Sequence, residues 1–311
     1  MAPPRHVWSL PLARVTAGAT LGLIMAGGLV TTTGAGLAVP DWPTTFGENL
    51  FLFPWSRMVG GVLVEHSHRL LGVVVGCLTL GLGAAVWLED RRDSARGLAG
   101  AAVALVAIQG LVGGLRVVLV RDVLALIHGC LAQAFFALLA ALVVVTGVRR
   151  RVTTAPGSPE RPGRGLAALA GLATIVVYGQ IVLGAFATHE GWVLGHVGGA
   201  VVAVAGVAAL TGAALGAPDP TFVRPGRFLG LLLLVQVALG LGAYLVRFTD
   251  VAVPGGEPLA IALPVLHRGV SAGILGTCVA ILVRVVDRGR VRSAATAAVG
   301  DEHLPPSRVP A

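Results

Sequence analysis

Long apolar segments alternate with short polar ones along the whole chain. Eight of these segments are long enough to cover the roughly 20 residues that a helix needs to cross a bilayer core of ~30 Å. They are centred on Leu23, Val75, Val106, Leu138, Val177, Val204, Val235 and Leu275. Only helices and closed barrels satisfy their backbone hydrogen bonds in lipid. The pattern therefore predicts an all-α polytopic membrane protein with eight transmembrane helices.

The composition agrees with this prediction. Charged residues make up 12% of the 311 residues, about half the usual share of a soluble domain, so a soluble enzyme with a single core is excluded. The net charge is +8, but most of the basic residues, all arginine, lie in short loops between apolar segments. That distribution is typical of membrane topology and excludes a nucleic-acid partner. The three cysteines lie inside apolar segments and form no disulfide framework.

The arginines also predict the orientation. Seventeen lie in the terminal segments and loops of one side, and four lie in the loops of the other. Because positive charge marks the inner side, we expect both termini in the cytoplasm or in a mitochondrial matrix. The short segment before the first span resembles neither a cleaved signal peptide nor a transit peptide, which favours a retained helix and a bacterial plasma membrane.

A segment rich in proline, glycine and arginine, residues 149–164, divides the spans four and four. We expect an N-terminal four-helix bundle over 1–148, a cytoplasmic linker over 149–164 and a C-terminal four-helix bundle over 165–290. Residues 291–311 have little apolar content and are predicted to be a disordered cytoplasmic tail. A duplicated unit with an even number of spans keeps its orientation, so the two bundles are predicted to be pseudo-symmetric about the membrane normal.

A short motif recurs in the odd-numbered spans. It reads Gln-x-x-x-Gly at 109–113, 180–184 and 236–240, and span one keeps only its glycine, which we assign to Gly28 after Ile24. Small residues allow close helix contacts, and a glutamine can form hydrogen bonds between helices in lipid. Ordinary helix packing is the alternative explanation of the glutamines.

The even-numbered spans each contain a histidine in their outer part: His68, His128, His196 and His267. We expect all four at a similar shallow depth on the outer side. Ionisable residues within spans are costly and tend to mark function. Two imidazoles that face each other inside a bundle supply the two axial ligands of a heme iron. Zinc fits less well, because it takes three or four protein ligands together.

Two arginines directly follow histidines, in His68-Arg69 and His267-Arg268. A heme carries propionates, and arginine pairs with carboxylates through two hydrogen bonds, so Arg69 and Arg268 are candidate propionate partners. Their side chains could instead extend to the outer headgroups.

Glu65 distinguishes the two halves. It is the one carboxylate well inside a span, and the residue three before His267 is Pro264. Glu65 and His68 share one helix face. Oxidation of a C–H bond needs a group for protons or developing positive charge, which a heme that only carries electrons does not need. We therefore predict that Glu65 is catalytic.

Two further histidines have no assigned role. His66 lies about 200° around the helix from His68 and is expected to face elsewhere. His189 lies with Glu190 in a short outer loop, where it could be a rim or gate residue or a solvated side chain. The long outer loop between spans one and two is rich in glycine and proline from Thr33 to Pro43 and in aromatic residues from Phe51 to Trp55. It could cover the first-half pocket as a lid or serve only as an interfacial anchor.

These residues together resemble the heme A synthase family, which converts heme O to heme A for terminal oxidases. The resemblance covers the whole span region. It is carried by Asp41-Trp42-Pro43, Glu65-x-x-His68-Arg69-Leu70-Leu71-Gly72, Gln109…Gly113-Gly114-Leu115, His128, Gln180…Gly184, His196, Gln236…Gly240 and His267-Arg268.

The resemblance implies a heme b cofactor held by His196 and His267, and a heme O substrate facing His68 and His128. It implies Glu65 as the essential acid in the oxidation of a ring methyl group to a formyl group. Expected partners are heme O, heme A and the lipid bilayer, with a heme O synthase and an electron donor as further candidates. Some members carry cysteine pairs in the outer loops, which this sequence lacks.

Two other classes stay open from the sequence. A non-catalytic di-heme membrane cytochrome would share the four histidines but leave Glu65 unexplained. A transporter or heme-delivery protein would suit the internal repeat, but not histidines at a matched shallow depth.

Overall fold

A computed structural model of the chain describes residues 8–147, 164–249 and 255–302. Within those ranges there are eight long helices, each with a segment long and apolar enough to span a membrane. Their bounds are α1 Ser9–Thr32, α2 Gly60–Glu89, α3 Asp93–Leu119, α4 Asp122–Gly147, α5 Arg164–His189, α6 Val193–Leu215, α7 Pro220–Phe248 and α8 Gly256–Glu302. All eight predicted spans are confirmed, and the chain is a multi-pass membrane protein.

Each half of the chain packs around its own hydrophobic cluster. In the first half, α1 and α3 each contact both α2 and α4, and in the second half α5 and α7 each contact both α6 and α8. Val75, Leu82 and Leu139 lie in the first cluster, whereas Leu210 and Leu229 lie in the second. Each half thus forms a ring of four helices around an apolar interior.

The halves meet through four helices. α4 contacts α8, α1 contacts α8 and α4 contacts α5. Exchanging the two halves maps α1 onto α5 and α4 onto α8, which leaves this set of contacts unchanged. A two-fold relation between the halves requires that property, while the pseudo-symmetry itself stays a prediction.

The last helix differs from the expectation. α8 continues to Glu302, so residues 291–302 are helical instead of forming the disordered tail that we predicted. Four alanines lie between Ser293 and Ala298, and alanine has the highest helix propensity of all residues. The linker prediction, apart from Arg164, and the tail beyond Glu302 fall outside the described residues.

The connection between α1 and α2 is the longest loop among the described residues. It spans residues 33–59 and contains one short 3-10 helix, Trp55–Arg57. The corresponding connection between α5 and α6 is only three residues long. This loop therefore distinguishes the first half from the second at corresponding ends of their helices.

Candidate functional site

The four span histidines form two pairs. His68 on α2 faces His128 on α4 with the ring centres 6.5 Å apart and the ring planes at 82°. His196 on α6 faces His267 on α8 at 6.3 Å and 83°. The structure therefore brings together the residues that the sequence paired. His267 lies deeper along its helix than expected, at the twelfth residue of α8.

Each of these rings rests on a glycine of the helix that precedes its own. The contacts join Gly27 to His68, Gly113 to His128, Gly184 to His196 and Gly240 to His267. A Cβ atom at any of these glycines would lie 2.9 to 3.1 Å from the imidazole Cε1. An alanine at any of these positions would therefore push against the ring and force it to shift.

The glycine contacts correct the register of the repeat in α1. We assigned the motif glycine to Gly28, but Gly27 carries the ring of His68. Gly28 instead faces Arg268 of α8. The residue at the glutamine position of the motif is therefore Leu23 rather than Ile24. With no glutamine in α1, the sequence offered two adjacent glycines and nothing to choose between them.

The glycine contact can be tested in the second half. Gly184→Ala should displace the ring of His196, because its Cβ would lie 3.0 Å from Cε1. Overpacking of this kind typically costs about 1–3 kcal/mol, and we expect a lower thermal midpoint in detergent. Gly179→Ala on the same helix is the matched control, since nothing lies within 4 Å of its added Cβ. If Gly184→Ala and Gly179→Ala change the thermal midpoint equally, the contact between Gly184 and His196 does not contribute to stability.

The spacing of both pairs fits a metal between two imidazoles. Two metal–nitrogen bonds of about 2 Å and two ring radii of roughly 1.2 Å would separate the ring centres by about 6.4 Å. Among the described residues, no group of three or more His, Cys, Asp or Glu could hold a metal ion. Two protein ligands suit an iron whose other ligands come from a porphyrin. The buried Nδ1 atoms of His68, His128 and His267 have no hydrogen-bond partner within the described ranges.

Glu65 and Arg69 hold the outer loop on α2. The Glu65 carboxylate is buried, accepts a hydrogen bond from the Val39 N–H at 2.9 Å and pairs with the Arg69 guanidinium at 2.7 Å. Arg69 also donates to the main-chain oxygens of Val39, Asp41 and Thr44. A buried carboxylate is thus neutralised by an arginine whose other donors fix the path of the loop.

The second predicted propionate partner makes a contact between the two halves. Arg268 donates from Nη1 to the main-chain oxygen of Gly28 at 3.0 Å and to the Thr32 hydroxyl at 2.9 Å. Arg69 and Arg268 therefore both have protein partners, which the sequence did not indicate. Their role toward heme propionates stays a prediction.

The loop is also ordered by its own residues. Asp41 accepts hydrogen bonds from the Thr44 hydroxyl and from the N–H groups of Phe46 and Gly47. Burial alone would raise the pKa of the Asp41 carboxyl, but these hydrogen bonds lower it below its ordinary value. Their stabilisation is present at neutral pH and is lost only as the pH falls through the lowered pKa.

Further contacts seat the loop on the first bundle. His66 is buried, its Nδ1 lies 3.1 Å from the Thr45 hydroxyl, and its ring packs against Phe53 at 5.2 Å. The indole of Trp42 lies against Gly114 of α3. His66 therefore faces the loop and takes no part in either pair, and His189 ends α5, likewise outside both pairs. Sequence reasoning left the role of His66 open, because its partner Thr45 belongs to no recognisable motif.

The Trp42 contact provides a test of loop packing. Gly114→Ala should detach the loop, because the added Cβ would lie 2.4 Å from the indole. We expect a destabilisation of about 1–3 kcal/mol and faster trypsin cleavage after the exposed Arg57. Gly110→Ala on the same helix has open space around its Cβ and should leave cleavage unchanged. Unchanged cleavage in Gly114→Ala would contradict the packing described here.

Comparison with known families agrees with the motifs. No curated protein matches the chain significantly. A family model described as cytochrome oxidase assembly protein matches residues 11–195, more than half of the chain. The matched range includes Glu65, His68 and His128 and ends directly before His196. The chain belongs to the COX15-CtaA family of cytochrome oxidase assembly proteins, the heme A synthase family that its motifs resemble.

Proposed function

We propose that the protein is a heme A synthase, a membrane oxidoreductase that oxidises a ring methyl group of heme O to a formyl group. One observation carries the proposal. Two imidazole pairs have nearly the same geometry, but only the first has a buried carboxylate, Glu65, three residues from one of its histidines, together with the long loop 33–59. Family membership supports a role in cytochrome oxidase assembly.

The second pair is the cofactor site in this proposal. His196 and His267 would hold heme b, with Arg268 beside them, and heme b supplies reversible one-electron transfer when bound. The two imidazoles sit on α6 and α8 within one four-helix ring. The protein fixes the orientation of the ligands and keeps the site within an apolar interior.

The first pair is the substrate site. His68 and His128 would receive heme O, and Arg69 lies one residue from His68. In this proposal the outer loop, which Glu65 and Arg69 hold on α2, would restrict access of water to the site. Excluding water protects a partly oxidised carbon from side reactions and strengthens electrostatic interactions at the site.

Glu65 is the group proposed to handle protons. Removing hydrogen from a methyl carbon releases protons and develops positive charge, and a carboxylate can accept the protons or stabilise the charge. Oε1 of Glu65 is paired with Arg69 and Oε2 accepts from the loop backbone, so both oxygens have fixed positions. The carboxylate of Glu65 needs both its fixed position and its negative charge to accept protons or stabilise positive charge.

The proposal includes the membrane in which the protein lies and its orientation there. The arginine distribution supports a bacterial plasma membrane with both termini in the cytoplasm. Both imidazole pairs would then lie toward the outer side. A heme O synthase would supply the substrate through the bilayer, and a separate electron carrier would serve the second pair.

Co-expression with a heme O synthase tests the activity. Hemes are extracted from membranes with acidic acetone and separated by chromatography. We expect heme A or its hydroxylated precursor when the protein is present, and heme O alone when it is absent. Unchanged heme O in the presence of well-folded protein would overturn the proposal.

A non-catalytic di-heme cytochrome is the competing function. The near-identity of the two pairs, at 6.5 and 6.3 Å, favours it, because two electron-carrying hemes need no difference between their sites. It leaves the Glu65–Arg69 pair and the long loop without a role in chemistry. A protein that binds two hemes stably and never modifies heme O would be this cytochrome.

A further inference from the structure

Arg116, near the outer end of α3, is a partly buried cation without an acceptor. It forms neither a hydrogen bond nor an ion pair with any residue that the structure describes. The other arginines at the outer side of the described chain either have acceptors or are exposed. Acceptors are present for Arg57, Arg69 and Arg268, whereas Arg121 and Arg247 are exposed. A partly buried guanidinium whose donors are all unused is uncommon, and it indicates a binding partner outside the chain.

The position of Arg116 places it next to the first imidazole pair. Gly113 of the same helix carries the ring of His128. Arg116 lies three residues further toward the outer end, on the same helix face and about 4.5 Å further out. Its positive charge is close enough to interact electrostatically with the His128 imidazole. The guanidinium is therefore at the outer edge of the space between His68 and His128.

The outer loop approaches Arg116 without binding it. A Cβ atom at Gly36 would lie 2.5 Å from Nη1 of Arg116, so the absence of a side chain leaves room for the guanidinium beneath the loop. The donors of Arg69 are instead used by Glu65 and by main-chain oxygens of the same loop. The loop thus fixes one arginine and leaves the hydrogen-bond donors of the other free.

The internal repeat shows that this arginine belongs to the first pair alone. The residue three positions after the ring-bearing glycine is Arg116 in α3, but it is Val30 in α1, Ala187 in α5 and Ala243 in α7. Neither α5 nor α7, which carry the rings of the second pair, has a charged residue at this position. A general need of the helix ends for positive charge would not produce this difference.

Two axial imidazoles do not fix a flat macrocycle completely. They define an axis through the iron, and the macrocycle can still rotate about that axis. Oxidation of one ring methyl group and not another requires a further contact away from the axis. A heme carries carboxylates at its rim, and a guanidinium binds a carboxylate through two parallel hydrogen bonds. Such a contact is stronger where water is excluded.

We propose that Arg116 binds a carboxylate of the macrocycle held between His68 and His128, and thereby fixes its rotation about the imidazole axis. Arg116 is then a residue that determines which methyl group is oxidised. The inference rests on the proposed function, which makes the ligand of this pair a heme, and deepens it by naming the residue that orients the substrate. Arg69, which the sequence indicated for a carboxylate, is already occupied by Glu65 and the loop.

Arg116→Gln tests the inference with two probes. Purified protein that already holds heme b is titrated with protohemin or with protohemin dimethyl ester, which has the same ring but no free carboxylate. We expect the substitution to weaken protohemin binding by about 10- to 100-fold, as loss of a hydrogen bond between charged groups does. Binding of the ester should not change. Arg116→Lys keeps the charge without the paired geometry and should give an intermediate loss for protohemin.

Arg121→Gln is the matched control, because it removes the same charge from an exposed site five residues further along the chain. Both probes should bind to it as to the wild type. The inference fails if Arg116→Gln leaves protohemin binding unchanged. It also fails if Arg116→Gln weakens binding of the ester equally and speeds trypsin cleavage after Arg57, since Arg116 would then only support the loop.

His68→Ala assigns the probe to the first pair. The difference in affinity between protohemin and its ester should disappear in this variant, and its persistence would place the carboxylate contact elsewhere and overturn the inference. Probe binding does not depend on heme O conversion. A protein that binds protohemin through Arg116 but never forms heme A would sink the proposed function and leave this inference standing. Heme A formation with wild-type probe affinities in Arg116→Gln would do the reverse.

Discussion

Replacing His196 or His267 with alanine is expected to abolish the heme b absorbance of the purified protein, whereas His68→Ala is expected to leave it. Each imidazole of the second pair would supply one of only two protein ligands to the iron. Losing a partner of a ligand already costs about 10- to 100-fold in metal affinity, and losing the ligand itself must cost more. Optical spectra of dithionite-reduced protein and the heme-to-protein ratio measure the effect.

The control for this prediction is His189→Ala. His189 is the last residue of α5 and belongs to neither pair, so its replacement should leave the heme content unchanged. Loss of the heme b spectrum in His68→Ala alone would reverse the assignment of the two halves. Retention of heme b in both His196→Ala and His267→Ala would exclude that pair as its site.

Glu65→Gln is expected to lower heme A formation by about 10²- to 10⁴-fold, the usual contribution of a group that transfers protons. The amide can still accept the hydrogen bond from Val39, but it carries no charge and accepts no proton. Heme b content should not change, because Glu65 lies in the other half of the chain. Chromatography of extracted hemes measures the product, and the optical spectrum measures heme b.

Glu48→Gln is the matched control, because Glu48 is a partly exposed carboxylate of the same loop that pairs with Arg57. It should leave heme A formation intact. Trypsin cleavage after Arg57 shows whether the loop stays seated in Glu65→Gln. Full activity in Glu65→Gln would remove Glu65 from the chemistry and leave it as an anchor of the loop.

Much of the fold could be predicted from the sequence. Spans are set by hydropathy over about 20 residues, a signal that needs no knowledge of neighbouring helices. The pairing of His68 with His128 and of His196 with His267 followed from chain order, because each four-helix half contains two of the four histidines. Hydropathy is a local property of the sequence, and the histidine order repeats between the halves, so neither needs knowledge of three-dimensional contacts. The structure agrees with both predictions.

The partners of the two arginines could not be predicted in this way. Arg69 donates to three main-chain oxygens of the outer loop, and every residue has such an oxygen. Which of them meet a guanidinium depends on the path of an irregular loop. Arg268 finds its partners on a helix about 240 residues earlier in the chain. Hydrogen bonds to main-chain oxygens and contacts between distant helices produce no recognisable pattern of residues in the sequence.

The glutamines show the same limit at a finer scale. The motif Gln-x-x-x-Gly is present in α3, α5 and α7, and the sequence shows three equivalent copies. The structure separates them, because Gln180 and Gln236 reach a ring nitrogen and Gln109 does not. Which atom each glutamine reaches depends on how its helix packs against the next one, and the motif does not encode that packing.

The hydrogen bonds from Arg268 to α1 connect the two halves thermodynamically. Arg268 follows His267 in the chain, and its acceptor Gly28 follows Gly27, on which the ring of His68 rests. Any movement of α1 that displaces Gly28 must therefore strain or break a hydrogen bond next to His267. If the two bundles bind hemes as proposed, and binding in one of them moves α1, the affinity of the other would change, and by linkage the factor would be the same in both directions.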